Sequence, residues 1–304
     1  MNPRDRQNSP IFKAFNIIYP VFVYFVATNL SMSLFTMFAV FLGADPQEQY
    51  MALQTASVAV TIPFIARFYQ KDKNEPTVFW EHMDLEIAGK STAKRVVNGI
   101  LMFFAGAAVG IALNNLLIIS GLEDISPGYQ QVNQQLFSGG IYFELLGACL
   151  LTPFLEELLY RGVVYGRLCD LVILDNEEKT AQGRKRERYG RAIAMLLSAL
   201  LFGVIHMNLV QFIYAGVLGI LLAWFMEKTG HFYGAFLAHM GANLMAVLRV
   251  ETSVFTWMKS ATAAFYAATA VSAVVGGLIL VVIQFLSVRQ FRGNGESEEK
   301  LAKD

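Results

Sequence analysis

The 304 residues are 55% hydrophobic and only 16% charged, with 24 Lys and Arg residues against 24 Asp and Glu residues. Soluble domains carry roughly 25% charged residues, and disordered chains contain fewer apolar side chains than this one. The composition therefore excludes both classes and indicates a membrane protein. Because the net charge is zero, the chain offers no overall basic field, and we expect no nucleic-acid partner.

Hydrophobic runs long enough to cross a membrane occur eight times. A bilayer requires about 17–25 mostly apolar residues. The runs lie at 16–42, 51–69, 96–120, 140–166, 191–207, 209–226, 231–249 and 262–288. Unpaired backbone groups are costly in lipid and no alternating strands occur, so the runs predict an all-α polytopic protein with about eight transmembrane helices. The fifth and sixth runs almost touch, which predicts a tight helical hairpin.

The basic residues alternate between the connections, which predicts an orientation through the positive-inside rule. Eight spans place 22 of the 24 Lys and Arg residues on the side of both termini, and leave only Arg249 and Lys259 on the other. We therefore expect cytoplasmic N- and C-termini. Residues 1–304 are interpreted as a single integral membrane domain in contact with the lipid bilayer, and 289–304 as a flexible charged tail.

Ionisable and amide side chains inside a span are expensive and point to function. The three motifs that meet this criterion are Glu156, Glu157 and Arg161 in the fourth run, Phe202 and His206 in the fifth, and His239 and Asn243 in the seventh. Residues four apart share a helix face, so Glu157 can pair with Arg161. Glu156 is rotated by roughly 100° from its neighbour and remains without a local cation.

A free carboxylate, two imidazoles and an amide from three helices can hydrolyse a bond in two ways. In the first, Glu156 and His206 take a proton from water, while His239 and Asn243 donate hydrogen bonds to the developing oxyanion. In the second, Glu156, His206 and His239 hold a metal ion such as zinc, with water as the fourth ligand. Phe202 would form a wall of the pocket in either case.

Other polar groups have simpler explanations. The amides of Asn114 and Asn115 are expected to make interhelical hydrogen bonds, and Glu144 is expected to reach the interface at the outer end of its span. No role is assigned to His82 or His231. The two cysteines, Cys149 and Cys169, lie about 30 Å apart if they share one helix, so no disulfide is expected.

The motifs Glu-Glu-x-x-x-Arg at 156–161, Phe-x-x-x-His at 202–206 and His-x-x-x-Asn at 239–243 resemble the CPBP family. These are the CAAX-protease and bacteriocin-processing intramembrane endopeptidases, also called the Abi family. The resemblance covers about residues 140–250. It implies that Glu156 and His206 activate water, that Glu157 and Arg161 support the first carboxylate, and that His239 and Asn243 stabilise the oxyanion.

The resemblance also implies a substrate and a location. The substrate would be a peptide or a membrane-associated protein, with or without a lipid group, and the location the plasma membrane of a prokaryote. We expect no cofactor, because no His-Glu-x-x-His motif occurs and the Asn243 amide suits an oxyanion hole better than a zinc shell. A catalytic zinc ion held by Glu156, His206 and His239 is the alternative.

Two other functions stay open at this stage. A proton-coupled secondary transporter could use the same carboxylates and histidines as a relay, although the chain lacks the internal repeat that is typical of transporters. A non-catalytic immunity or scaffold member of the family is the second. The complete set of polar motifs argues against it, since a lapsed enzyme needs none of them.

Overall fold

The structure, a computed structural model, describes residues 9–74, 79, 92–172 and 181–301. Its helices are α1 (Pro10–Phe41), α2 (Tyr50–Asn74), α3 (Thr92–Ser120), α4 (Pro127–Leu136), α5 (Ile141–Val172), α6 (Ala181–Val204), α7 (Leu209–Thr229), α8 (Tyr233–Glu251) and α9 (Ala263–Leu301). No strand occurs in these described ranges. The all-α class predicted from the sequence is confirmed.

Five helices are long and apolar enough to cross a membrane: α1, α2, α3, α7 and the first part of α9. The pair α4 and α5, bent by 102°, adds a sixth if it is counted as one span. The remaining two predicted spans correspond to α6, whose first half is strongly basic, and to α8, which carries His239 and Asn243. A polytopic membrane protein is confirmed, whereas the number eight and the cytoplasmic termini stay predictions.

Several boundaries differ from the sequence expectation. Helix α6 begins at Ala181, well before the predicted start at 191, and it ends at Val204, so that only a short turn separates it from α7. The tight hairpin is therefore present. Helix α9 continues to Leu301, and the expected tail at 289–304 is helical up to that residue. Residues 302–304 lie outside the described residues, and the flexibility of the tail stays a prediction.

Helix α5 is wound unevenly. A regular segment, Thr152–Leu159, lies between two wide π-helical segments, Glu144–Leu151 and Tyr160–Val164. Pro153 has no N–H for the helical ladder, and its ring excludes the carbonyl of the residue four positions earlier, Cys149. The first wide segment ends at Leu151, two residues before this proline. Wide turns of this kind are frequent at functional sites.

Side chains of neighbouring helices bind carbonyl groups of both wide segments. The amide of Asn243 in α8 donates to the Ala148 carbonyl at 2.8 Å, and the hydroxyl of Ser198 in α6 donates to the Tyr160 carbonyl at 3.2 Å. These bonds fix α5 relative to α6 and α8. The regular segment between them, which carries both candidate glutamates, is thereby held in position.

The polar residues outside the three motifs fall into two groups. Asn115 is an interhelical bridge as expected, since its amide donates to Thr269 at 2.8 Å and its oxygen accepts from Arg249 at 2.6 Å. Glu144 does not reach the interface. Its side chain is fully buried, and neither carboxylate oxygen has a hydrogen-bond partner among the described residues. This burial contradicts the expectation that Glu144 reaches the interface. Both cysteines are free, as predicted.

Helices α3 and α8 pack backbone to backbone through glycines. A Cβ atom on Gly106 would lie 1.9 Å from the carbonyl oxygen of Ala238, and one on Gly241 would lie 2.3 Å from the carbonyl oxygen of Phe103. Small residues allow such close approach in membranes, where van der Waals packing replaces the hydrophobic effect between helices. This packing sets the depth and rotation of α8, and with it the position of His239.

We expect Gly106→Val to destabilise the protein and to displace α8, because the new side chain overlaps the backbone next to His239. Overpacking in a dense core costs about 1–3 kcal/mol, which thermal unfolding in detergent would detect. The matched control is Gly277→Ala in α9, where nothing lies within 4 Å of the added atom. Equal melting temperatures for the two variants would contradict this description of the interface.

Candidate active site

Glu157 is at the centre of the polar cluster. Its Oε1 atom accepts a hydrogen bond from Arg161 Nη1 at 2.9 Å and another from His239 Nδ1 at 2.9 Å. Glu157 and Arg161 are completely buried. The predicted pairing of residues four apart is therefore present, and the same carboxylate oxygen also fixes the imidazole of α8. Because a carboxylate only accepts hydrogen bonds, Nδ1 of His239 carries a proton.

Arg161 extends the cluster to two further helices. Its Nη2 atom donates to the carbonyl oxygen of Gly219 in α7 at 3.0 Å, and its guanidinium lies 4.6 Å from the ring centre of Phe202 in α6. A Cβ atom on Gly219 would lie 3.2 Å from Nη2 and 3.1 Å from Ala199. Glycine at this position leaves room for the guanidinium and for the close contact between α6 and α7.

Glu156 stays outside this ion pair. Its side chain is 9% exposed, and its Oε2 atom lies 3.9 Å from His239 Nε2, beyond hydrogen-bonding distance. His239 and His206 are the two groups with the largest electrostatic effect on the Glu156 carboxylate. Both glutamates therefore lie beside His239, Glu157 at Nδ1 and Glu156 at Nε2, whereas the salt bridge of Arg161 is to Glu157.

His206 occupies the turn after α6 and is not part of the helix that was predicted to carry it. Its Nδ1 atom donates to the Phe202 carbonyl oxygen at 2.9 Å, in the place of the next backbone hydrogen bond of the helix. This arrangement leaves Nε2 of a neutral ring free to accept a proton. The Phe202 ring lies edge-on to His206 and His239, with centroids 5.2 and 5.7 Å away. Phe202 therefore separates and orients the two imidazoles.

Asn243 lies one helical turn beyond His239 and binds the Ala148 carbonyl, as described above. An asparagine amide has two N–H groups. One of them is used by Ala148, and this bond orients the other. The side chain is thus held in place, although its predicted function as an oxyanion donor stays a prediction.

The two remaining histidines of the chain are His231 and His82. His231 follows α7, and its Nε2 atom contacts the hydroxyl of Tyr69 at 3.2 Å. His82 is outside the described residues. No role was predicted for either histidine. The contacts of His231 do not include any residue of the Glu157 cluster.

The residues do not fit a metal site with three protein ligands. Across the described ranges, no group of three His, Cys, Asp or Glu side chains is close enough to hold a metal ion. The two candidate ligands Glu156 and His239 are 3.9 Å apart, but His206 does not complete a set with them.

Sequence analysis missed three residues of the cluster. Tyr160 follows Glu156 by four residues on α5, Tyr24 lies on α1, which contacts the segment Tyr160–Val164, and Gly219 supplies the carbonyl bound by Arg161. The spacing of four residues between Glu156 and Tyr160 is a signal that was available. No signal in α1 or α7 indicates Tyr24 or Gly219, because their proximity arises only from helix packing.

A protein family described as Type II CAAX prenyl endopeptidase Rce1-like matches residues 138–245, just over a third of the chain. The resemblance to the CPBP family is confirmed. The family match contains all three polar motifs and spans α5 to α8, the helices that supply the Glu157 cluster. No curated protein and no solved structure matches the chain.

We expect Arg161→Met to destabilise the protein by about 3–5 kcal/mol, because it leaves the buried Glu157 carboxylate without its guanidinium. Chemical unfolding in detergent measures the loss. The double variant Glu157→Gln, Arg161→Met should regain part of it, since no uncompensated charge then remains. If the single variant is as stable as the unsubstituted protein, the ion pair does not hold the helices together.

Proposed function

We propose that the protein is an intramembrane endopeptidase that hydrolyses a peptide bond with water activated by Glu156. The observation that carries this proposal is the different environment of two adjacent glutamates. Glu157 is paired with Arg161, whereas Glu156 lies in a buried site with its Oε2 atom 3.9 Å from Nε2 of His239. The match to a family of endopeptidases over the same helices supports it.

The charges of the cluster favour a protonated His239. Two carboxylates and one guanidinium leave a net negative charge in a buried site, which is costly. An imidazolium at His239 balances it, since Nδ1–H is bound to Glu157 and the second proton then lies on Nε2, facing the side of Glu156. His239 can therefore donate a hydrogen bond from Nε2 to a developing oxyanion.

In the proposed hydrolysis, the proton that water loses is later delivered to the leaving nitrogen. The oxygen of water attacks the scissile carbonyl carbon, and the water proton passes to Glu156, with the free Nε2 of His206 as a second acceptor nearby. The negative charge on the carbonyl oxygen is stabilised by Nε2–H of His239 and the second N–H of Asn243. The proton then moves to the leaving nitrogen as the C–N bond breaks. The chain supplies every group in this sequence.

The substrate proposed is a peptide, or the end of a membrane-associated protein, that enters from the cytoplasmic half of the bilayer. Apolar helices around the cluster exclude bulk water and strengthen its electrostatic interactions. The chain would act in the plasma membrane of a prokaryote. Whether the substrate carries a prenyl group is decided by comparing matched peptides with and without it.

The transporter alternative is disfavoured by the same contacts. A proton relay requires carboxylates that load and release protons in turn, but Glu157 is bound to Arg161 and His239 through one oxygen. The non-catalytic alternative is disfavoured because a scaffold has no need for the ordered imidazoles of His206 and His239.

We expect the purified protein to cleave members of a peptide library, and Glu156→Gln to reduce the rate by about 100-fold or more because the general base is lost. His206→Ala should also reduce the rate. Cleavage is followed by mass spectrometry of the products. The matched control is Glu48→Gln, which changes an exposed glutamate in the loop before α2. Unchanged cleavage by Glu156→Gln would rule out the proposed mechanism.

Cleavage should persist in the presence of a strong zinc chelator, because the geometry does not supply three metal ligands. The rate is measured before and after exhaustive chelation, and again after zinc is added back. A loss of activity that zinc restores would show that a metal is required, and the mechanism written above would be replaced by metal-assisted hydrolysis.

A further inference from the structure

The hydroxyl of Tyr160 has no partner in the structure. Tyr160 is fully buried, and its hydroxyl oxygen makes no hydrogen bond to any described residue. A buried polar group left unsatisfied costs about 1–3 kcal/mol. An unsatisfied buried group in a native protein calls for an explanation. One explanation is that the group binds a ligand or an ordered water.

The position of Tyr160 indicates which ligand this is. It follows Glu156 by four residues on α5, and the Glu156 carboxylate has the largest electrostatic effect of any charged group on its phenol. Its ring packs edge-on against Phe202, with centroids 5.1 Å apart. Phe202 also contacts both imidazoles, so the unpartnered hydroxyl belongs to the wall of the catalytic site.

A second phenol comes from α1, outside the residues matched by the family. Among the groups that act electrostatically on Tyr24, Glu156 is the strongest and Tyr160 the next. Helix α1 contacts the wide segment Tyr160–Val164. The contact between these helices places Tyr24 on the same side as Tyr160 and Glu156, next to the Glu157 cluster.

We propose that Tyr160 and Tyr24 hold the attacking water on Glu156, an inference that rests on the proposed function. A buried water needs two to four polar partners. The water donates one hydrogen bond to Glu156 and the other to the Tyr24 oxygen, and it accepts a hydrogen bond from the Tyr160 hydroxyl. A lone pair of the water then points away from the phenols, toward the scissile carbonyl. The proton passes to Glu156 and later to the leaving nitrogen, and both tyrosines keep theirs.

The test is a comparison of three Tyr→Phe variants in the full-length protein. Tyr160→Phe and Tyr24→Phe remove the hydroxyls assigned to water binding. Tyr165→Phe is the matched control, because Tyr165 is buried on the same helix and donates to Glu227. Steady-state cleavage gives kcat and KM, and thermal unfolding gives stability.

Tyr160→Phe should lower kcat by ~10–100-fold, the scale of a misplaced reactant, with KM changed less than ~2-fold. Its melting temperature should be equal or higher, because an unpartnered hydroxyl is removed. Tyr24→Phe should lower kcat in the same way and keeps the test valid if Tyr160→Phe does not fold. Tyr165→Phe should lower the melting temperature and leave kcat unchanged.

The outcomes separate this inference from the proposed function. If Glu156→Gln abolishes cleavage while Tyr160→Phe and Tyr24→Phe keep a normal kcat, the inference is overturned and the proposed function stands. If the unsubstituted protein cleaves no peptide, both are overturned. A fall in kcat confined to the two phenol variants supports the water site.

Discussion

The candidate site depends on one carboxylate oxygen, Oε1 of Glu157, which accepts two hydrogen bonds. It binds Arg161 of its own helix and His239 of α8, and Arg161 in turn binds the α7 backbone at Gly219. A buried ion pair stabilises a protein only when its geometry is good and its remaining polar atoms are bonded. Here the contacts of Glu157 Oε1 and of Arg161, with Phe202 of α6 under the guanidinium, link four helices. Oε2 of Glu157 and Nε of Arg161 have no hydrogen-bond partner among the described residues, so the pair meets that condition only in part.

The two adjacent glutamates have different contacts, and we propose different roles for them. Glu157 is bound to Arg161 and His239 through Oε1, whereas Glu156, rotated by roughly 100° on the helix, lies 3.9 Å from His239 Nε2 and is the base that we propose. The wide segments of α5 on either side make this possible, since their carbonyls are bound by Asn243 and Ser198. Close contact of α3 with α8 through Gly106 sets the depth of His239. The geometry of the candidate site thus depends on residues that lie outside it.

The sequence was sufficient for the helical class, the hairpin of α6 and α7, and the pairing of Glu157 with Arg161, because these follow from local periodicity and spacing. It was insufficient for contacts that arise from packing between helices. Tyr24 and Gly219 carry no motif, and the burial of Glu144 depends on the helices packed around it. Helices α6 and α8 are not among the five long, apolar helices of the described residues, and their assignment as membrane spans stays a prediction.

The central claim, that Glu157 fixes the imidazole of His239, is tested most directly by nuclear magnetic resonance of the protein labelled with nitrogen-15 in histidine. The account predicts that His239 Nδ1 is protonated and hydrogen-bonded, and that Glu157→Gln shifts the resonances of His239 strongly while those of His231 stay unchanged. A His239 ring that titrates as a free imidazole in both proteins would contradict the account.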